Sequence, residues 1–262
     1  MTFIRTRLTA SSIGRLLPII FVLCCSQLAM AQSTIFNIPS TDTVAAKKGY
    51  AEFDFLPEAP GTGTSRIYLY NPRVVVGVSG NVEVGVNFPA YKLSGTTSAT
   101  SAYFQPNIKW KFFNDDKKGI ALAAGGLLNT PMNNRTGQDS WGLLYGLFSK
   151  KVKTGMYGPR MHVGGYGVVS ANQDLASGPV SFLGPRGGAI LGYEQPVQAR
   201  VSIVADWFSG KNGLGYFTPG VSITVPKNGL FNAGYSIGND SWQNSNATKN
   251  RFVFLYYGVT FP

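Results

Sequence analysis

The sequence predicts an all-β chain closed into one antiparallel, up-and-down transmembrane barrel of twelve strands. Three observations carry this expectation. Apolar side chains recur with period two along almost the whole chain after residue 48. The connections between these runs alternate between short and long. The last run, Arg251 to Phe261, sets Val253, Leu255, Tyr257, Val259 and Phe261 on one face. Strict alternation argues strands rather than helices. Strands of about ten residues with one apolar face are what a barrel wall presents to lipid, and closure removes the edge such strands would otherwise expose.

Taken in order, residues 1–31 read as a cleaved secretory signal. Arg5, Arg7 and Arg15 precede the apolar run Leu16 to Leu23, and Ala29-Met30-Ala31 supplies a small-x-small cleavage site, so Gln32 is expected as the first mature residue. The apolar run is shorter than the roughly 20 residues a spanning helix needs. Both cysteines, Cys24 and Cys25, lie in the removed segment, so the mature chain has neither disulfides nor thiolate metal sites. Residues 32–48 are expected as a periplasmic N-terminal segment. Its stretch Ile35-Phe36-Asn37-Ile38-Pro39 offers a small plug for the lumen as one reading and a disordered leader as the favoured one.

The barrel is expected over 49–262. Its first run, Gly49 to Phe55, sets Ala51, Phe53 and Phe55 against Glu52 and Asp54. Ile67 to Val78 then turns at Ser79-Gly80-Asn81 into Val82 to Tyr91, where Val82, Val84, Val86 and Phe88 oppose Glu83, Gly85 and Asn87. Tyr103 to Phe112 alternates most cleanly, with Phe104, Ile108, Trp110 and Phe112 opposing Gln105, Asn107, Lys109 and Lys111. Four further runs follow at Gly119 to Asn129, Ser140 to Ser149, Gly158 to Ser170 and Val180 to Glu194. Val197 to Phe208, Gly215 to Val225, Gly229 to Gly238 and Arg251 to Phe261 complete the set. A soluble secreted sandwich also alternates, but twelve runs leave almost no residues for a second covering layer.

The short connections, such as Ser79-Gly80-Asn81, Asn114 to Lys118, Gln195-Pro196 and Pro226-Lys227-Asn228, alternate with longer polar ones such as Thr130 to Asp139 and Asn239 to Asn250. That is the asymmetry of a barrel with periplasmic turns and external loops. Tyr68, Tyr70, Trp141 and Trp207 near the loop ends, and Trp110, Phe112, Tyr193 and Phe261 near the turn ends, form two aromatic belts on the apolar faces.

Together these features resemble the bacterial outer-membrane β-barrel class, in its narrow porin-like or transporter-like members. The resemblance implies a bacterial outer-membrane location with both termini periplasmic, and lipid around the wall. It also implies assembly by the barrel-insertion machinery, which reads the terminal pattern Val253, Leu255, Tyr257, Val259, Phe261. That pattern ordinarily ends on its aromatic residue, whereas here Pro262 follows.

Function then rests with the lumen. With apolar faces toward lipid, the inward charged set is Glu52, Asp54, Arg73, Glu83, Lys109, Lys111, Arg160, Arg186, Glu194, Arg200 and Asp206. Six basic against five acidic side chains suggest a pore for small polar solutes with a weak anion preference. Glu52, Asp54 and Arg73 form either a constriction or a network that ties adjacent strands. A non-transporting barrel that binds partners through its loops is the alternative.

Removing three signal arginines from 23 basic residues leaves 20 against 12 acidic ones, a mature charge of +8. These charges are scattered in turn pairs rather than gathered into a stripe, which excludes nucleic acid as the expected partner. One histidine, His162, and no mature cysteine exclude a transition-metal site, and no cofactor is expected. A lipid hydrolase would need a base beside a nucleophile. No serine stands two residues after His162, so the chain is not expected to be an enzyme.

Overall fold

Alternation along each strand and closure across the sheet together determine the architecture. The computed structural model describes residues 33–59, 66–94, 100–133, 140–152, 157–169, 186–210, 212–239 and 251–262. The expected signal segment and much of the longer loops lie outside these residues. Thirteen β segments form one sheet. In the first half of the chain these are β1 (Gly49–Pro57), β2 (Ile67–Ser79), β3 (Val82–Asn87), β4 (Ala90–Leu93), β5 (Ser101–Asp115), β6 (Ile120–Pro131) and β7 (Trp141–Lys151). The second half adds β8 (Arg160–Val169), β9 (Gly187–Gln198), β10 (Val201–Phe208), β11 (Tyr216–Val225), β12 (Gly229–Gly238) and β13 (Arg251–Phe261).

β3 and β4 both pair between β2 and β5, so they are two halves of one wall strand. The interruption falls at Phe88-Pro89, where proline has no N–H to give the ladder. Two flanking bonds keep the wall continuous there, Phe88 N to Pro72 O at 2.9 Å and Tyr103 N to Pro89 O at 2.9 Å. The wall therefore has twelve antiparallel strands, as expected. β1 closes it by pairing with β2 on one side and β13 on the other, with Phe53 opposite both Pro72 and Tyr257. Among the described residues, closure leaves each wall strand paired on both sides, the condition for a sheet to stand in hydrocarbon.

One boundary differs from expectation. β9 runs on through Pro196 to Gln198, and the turn falls at Ala199-Arg200 rather than at Gln195-Pro196. Pro196 pairs with Ser202, and a register shift at Val201/Ser202 takes up the extra residue. Residues 180–185, expected to begin this strand, lie outside the described residues.

Short connections after β2, β5, β9 and β11 define a turn side of the barrel, where residues 152–159 after β7 are the one longer connection, and the remaining connections define the opposite, loop side. Along β1 the faces separate sharply. Phe53 is 49% exposed on the outside, whereas Glu52 and Asp54 on either side of it are buried inside. Ile108, Trp110, Leu144, Val163, Ile203, Phe217 and Tyr257 continue the exposed apolar exterior around the wall. A contiguous apolar surface of this extent needs a non-aqueous neighbour, and the two-sided pattern is that of a lipid-facing wall.

Of residues 33–47, for which a disordered leader is the favoured expectation, 33–44 instead fill the turn-side lumen, and 45–47 are exposed where the chain joins the wall beside Gly77. Ile35, Phe36, Ile38 and Val44 are buried there among wall side chains. The plug thereby gives the barrel the apolar core that its strands alone cannot form.

Candidate functional site

The plug begins with a tight loop. Ile35 N donates to Ile38 O at 2.9 Å and Ser40 N to Ser33 O at 3.0 Å, closing residues 33–40 on themselves. This turn points three successive amides at one wall carboxylate. Phe36 N, Asn37 N and Ile38 N all donate to Asp206 Oδ2, at 2.9, 2.6 and 3.0 Å. Consecutive amides of this kind make a nest for an anion, and here the anion is supplied by β10. Asn37 Nδ2 adds a 2.6 Å bond to Thr218 Oγ1 on β11.

Two further wall charges hold the flanks. Glu83 on β3 accepts from Val44 N at 2.7 Å through one oxygen and from Ser33 Oγ at 2.5 Å through the other. Lys109 on β5 forms an ion pair with Glu83 at 2.8 Å and also donates to Ser33 O at 2.9 Å. On the other flank, Arg160 on β8 donates Nη2 to Asp42 Oδ1 at 2.9 Å and to Thr41 Oγ1 at 2.7 Å. Burial works to raise the Asp42 pKa, but the Arg160 guanidinium outweighs it and holds this plug carboxyl well below the usual carboxylate range.

Shape complements charge. The Phe36 ring packs edge-on against Phe254 and Tyr256 of β13, at centroid distances of 5.3 and 6.2 Å. Tyr256 OH donates to Ile35 O at 2.9 Å. Glycine backbone makes the remaining room. A Cβ at Gly192 would stand 2.7 Å from both Ile35 Cδ1 and Ile38 Cδ1, and one at Gly234 would stand 2.8 Å from Phe36 Cζ.

On the loop side of the plug lies a cavity of about 410 Å³. Its walls include Leu56, Leu69, Tyr91, Trp141, Phe208 and Phe252, and its polar floor includes Asp54, Asn71 and Arg73. Trp141 is 6% exposed and faces this interior, so it is no part of an outer aromatic belt. β7 is apolar on both faces, with Trp141, Leu143 and Leu147 inside and Leu144 and Phe148 outside, because the plugged interior is itself an apolar environment.

The expected inward residues separate into groups. Glu52 and Arg73 face each other across β1 and β2 and form an ion pair, with Asp54 one inward position further along β1. Glu83, Lys109, Arg160 and Asp206 all contact the plug, and Arg73 also donates to its Thr34 hydroxyl. Glu194 bonds His162 Nε2 at 2.7 Å, and Lys111 is half-buried near the turn-side end of β5. Two depart from expectation. Arg200 stands exposed in the β9–β10 turn because that turn falls later than expected, and Arg186 precedes β9 rather than lying on a strand. The terminal set keeps its face: Tyr257 and Phe261 are exposed outside and Val253, Leu255 and Val259 are half-buried, while Phe254 and Tyr256 point inward.

Sequence reasoning missed the partners that the plug brings, namely Ser33, Thr34, Thr41, Asp42 and the backbone amides of residues 36–38 and 44. The sequence signal for them was the apolar stretch Ile35 to Pro39 lying next to an otherwise polar segment. It also missed Ser149, which stands opposite His162 across β7 and β8. The Ser149 hydroxyl is engaged by Thr41 Oγ1 at 2.7 Å and lies 3.4 Å from Arg160 Nη2.

No protein-family model and no curated protein matches the chain. Among solved structures, an outer membrane channel from Pseudomonas putida F1 is similar at 15% identity over 84% of this chain and 96% of its own, with a TM-score of 0.49. Outer membrane phospholipase A from Escherichia coli, as an active-site mutant, is similar at 11% identity over 84% and 92%, with a TM-score of 0.47. The translocator domain of an autotransporter from Neisseria meningitidis follows at 12% identity over 97% and 95%, with a TM-score of 0.41. The barrel assignment rests on this chain's own continuous strand pairing and apolar exterior.

Proposed function

We propose that the protein is a bacterial outer-membrane pore for small polar solutes, closed on its turn side by its own N-terminal segment and open when that segment leaves. The observation that carries this reading is the way the plug is held. Residues 33–43 belong to none of the wall strands, and pairing with the wall begins only at Ala46 opposite Gly77. The plug can therefore withdraw while the hydrogen-bond ladder of the barrel stays whole. A twelve-stranded lumen lies between the filled interior of eight-stranded barrels and the wide channel of porins, so removing this segment frees a narrow passage.

An anion preference, suggested by the six basic residues, is expected to be weak. Arg73, Lys109 and Arg160 each have a carboxylate partner, and Arg200 stands at the rim. The reading also has no enzymatic step. His162 is 1% exposed beneath the plug, and the Ser149 hydroxyl is turned to Thr41. The turn side and both termini are assigned to the periplasm, and the outward face Val253 to Phe261 to recognition by the insertion machinery.

The test is conductance in planar bilayers of the full mature protein and of a variant lacking residues 33–47. The expected result is rare, small openings for the first and a sustained, larger current for the second. A folded deletion variant that carries no current would remove the pore reading in favour of a non-transporting barrel.

A further inference from the structure

We infer that the loop-side cavity is a binding site for a small apolar molecule carrying a neutral hydroxyl group. This goes beyond the pore reading by giving the lumen a ligand, and it can be true whether or not solute crosses. The cavity, at about 410 Å³, lies within the size range of small-molecule sites, and its walls are mainly aliphatic and aromatic. Such walls favour an apolar body, because they offer it a surface that water solvates poorly.

The floor sets the head group. Asn71 and Arg73 sit at successive inward positions of β2, and both line the cavity. Asn71 donates through Nδ2 to Asp54 Oδ2 at 2.8 Å, but its own Oδ1 accepts no hydrogen bond. Arg73 is 8% exposed, and its guanidinium reaches Glu52 and Thr34 through Nη2 while Nε has no partner. The floor therefore holds two buried acceptors without a hydrogen bond, Asn71 Oδ1 and Asp54 Oδ1, and one such donor, Arg73 Nε. A hydroxyl is the simplest group that is at once donor and acceptor.

Charge excludes the commonest alternative amphiphile. Glu52 and Asp54 place two carboxyl groups beside the single guanidinium of Arg73, and Asp54 has neither an ion-pair partner nor a plug amide among the described contacts. An anionic head at this floor would face that acidic side without a free cation to meet it. A fatty-acid-like carboxylate is thus rejected and the corresponding alcohol is accepted.

The test uses full mature protein in amphipol, with 1-octanol and octanoate as probes. Binding is followed by the fluorescence of Trp141 in a variant whose other tryptophans are phenylalanine. The expected result is saturable 1-octanol binding, with octanoate at least tenfold weaker. Asn71→Leu, which removes one of the two free acceptors, is expected to weaken 1-octanol about fivefold, the size of one ordinary hydrogen bond. Leu69→Trp, which fills the cavity, is expected to abolish binding. Absence of saturable 1-octanol binding, or equal binding of octanoate, overturns the inference. Either result leaves the conductance of the variant lacking 33–47 untouched, so failure here and failure of the pore reading are told apart.

Discussion

A carboxylate buried in a barrel wall is costly unless hydrogen bonds replace the water it loses. Asp206 solves this with three amides from another part of the chain, which makes it the residue on which the plug most depends. Replacing it leaves those amides buried and unsatisfied, at about 1–3 kcal/mol for each. Asp206→Ala is therefore expected to raise the open probability in bilayers at least tenfold while the wall stays folded. An unchanged open probability would show that the plug is held elsewhere. The ion pairs Glu83–Lys109 and Arg160–Asp42 play a different part. The first is buried and the second half-buried; pairs withdrawn from water contribute little net stability but penalise loss of either partner, so they fix where the plug sits more than how tightly. Sequence alternation alone places Asp206, Glu83, Lys109 and Arg160 inside, yet apart from the Glu83–Lys109 contact itself their partners named above lie in the segment expected to be disordered. Alternation cannot show that, because it reports which face a residue is on and not what fills the space opposite.

At the level of elements, the plug and β9 fit as a side chain fits a socket. Gly192 is where Ile35 and Ile38 both approach the backbone. A branched side chain there meets two plug residues at once, so Gly192→Val is expected to expel the plug and give the currents of the variant lacking 33–47. The same substitution made in that deletion variant is expected to change nothing. If Gly192→Val lowers the current of both, the glycine serves the wall rather than the plug. β13 shows how one strand carries two messages. Val253, Leu255, Tyr257, Val259 and Phe261 face outward, and of the inward set Phe252, Phe254 and Tyr256 the last two build the seat of Phe36 while Phe252 packs on Tyr216. The outward set is legible because it is an unbroken period-two pattern. The inward set is equally apolar and has no such contrast, and the same loss of contrast misplaces Trp141.

For the whole molecule, the decisive property is that apolar surface lies on both sides of a closed wall, lipid-facing outside and plug- or cavity-facing inside. Single-tryptophan variants separate the two. Trp110 is 52% exposed on the exterior, so in vesicles of bromine-labelled phospholipid a protein retaining only Trp110 is expected to lose most of its fluorescence. A protein retaining only Trp141 is expected to keep it. Equal quenching of both would contradict the assigned faces, and quenching of neither would remove the wall from the membrane.

The sequence by itself determined the strands, their antiparallel succession, the closure of the first on the last and the outward face of the wall. These follow from period-two alternation and short turns, which are local properties of the chain. Only the tertiary structure decided what fills the lumen. The fate of residues 33–47 depends on Asp206, Glu83 and Arg160 meeting them across separations of 39 to 170 residues, and on bare backbone at Gly192 and Gly234 that no local pattern distinguishes from any other glycine of a barrel.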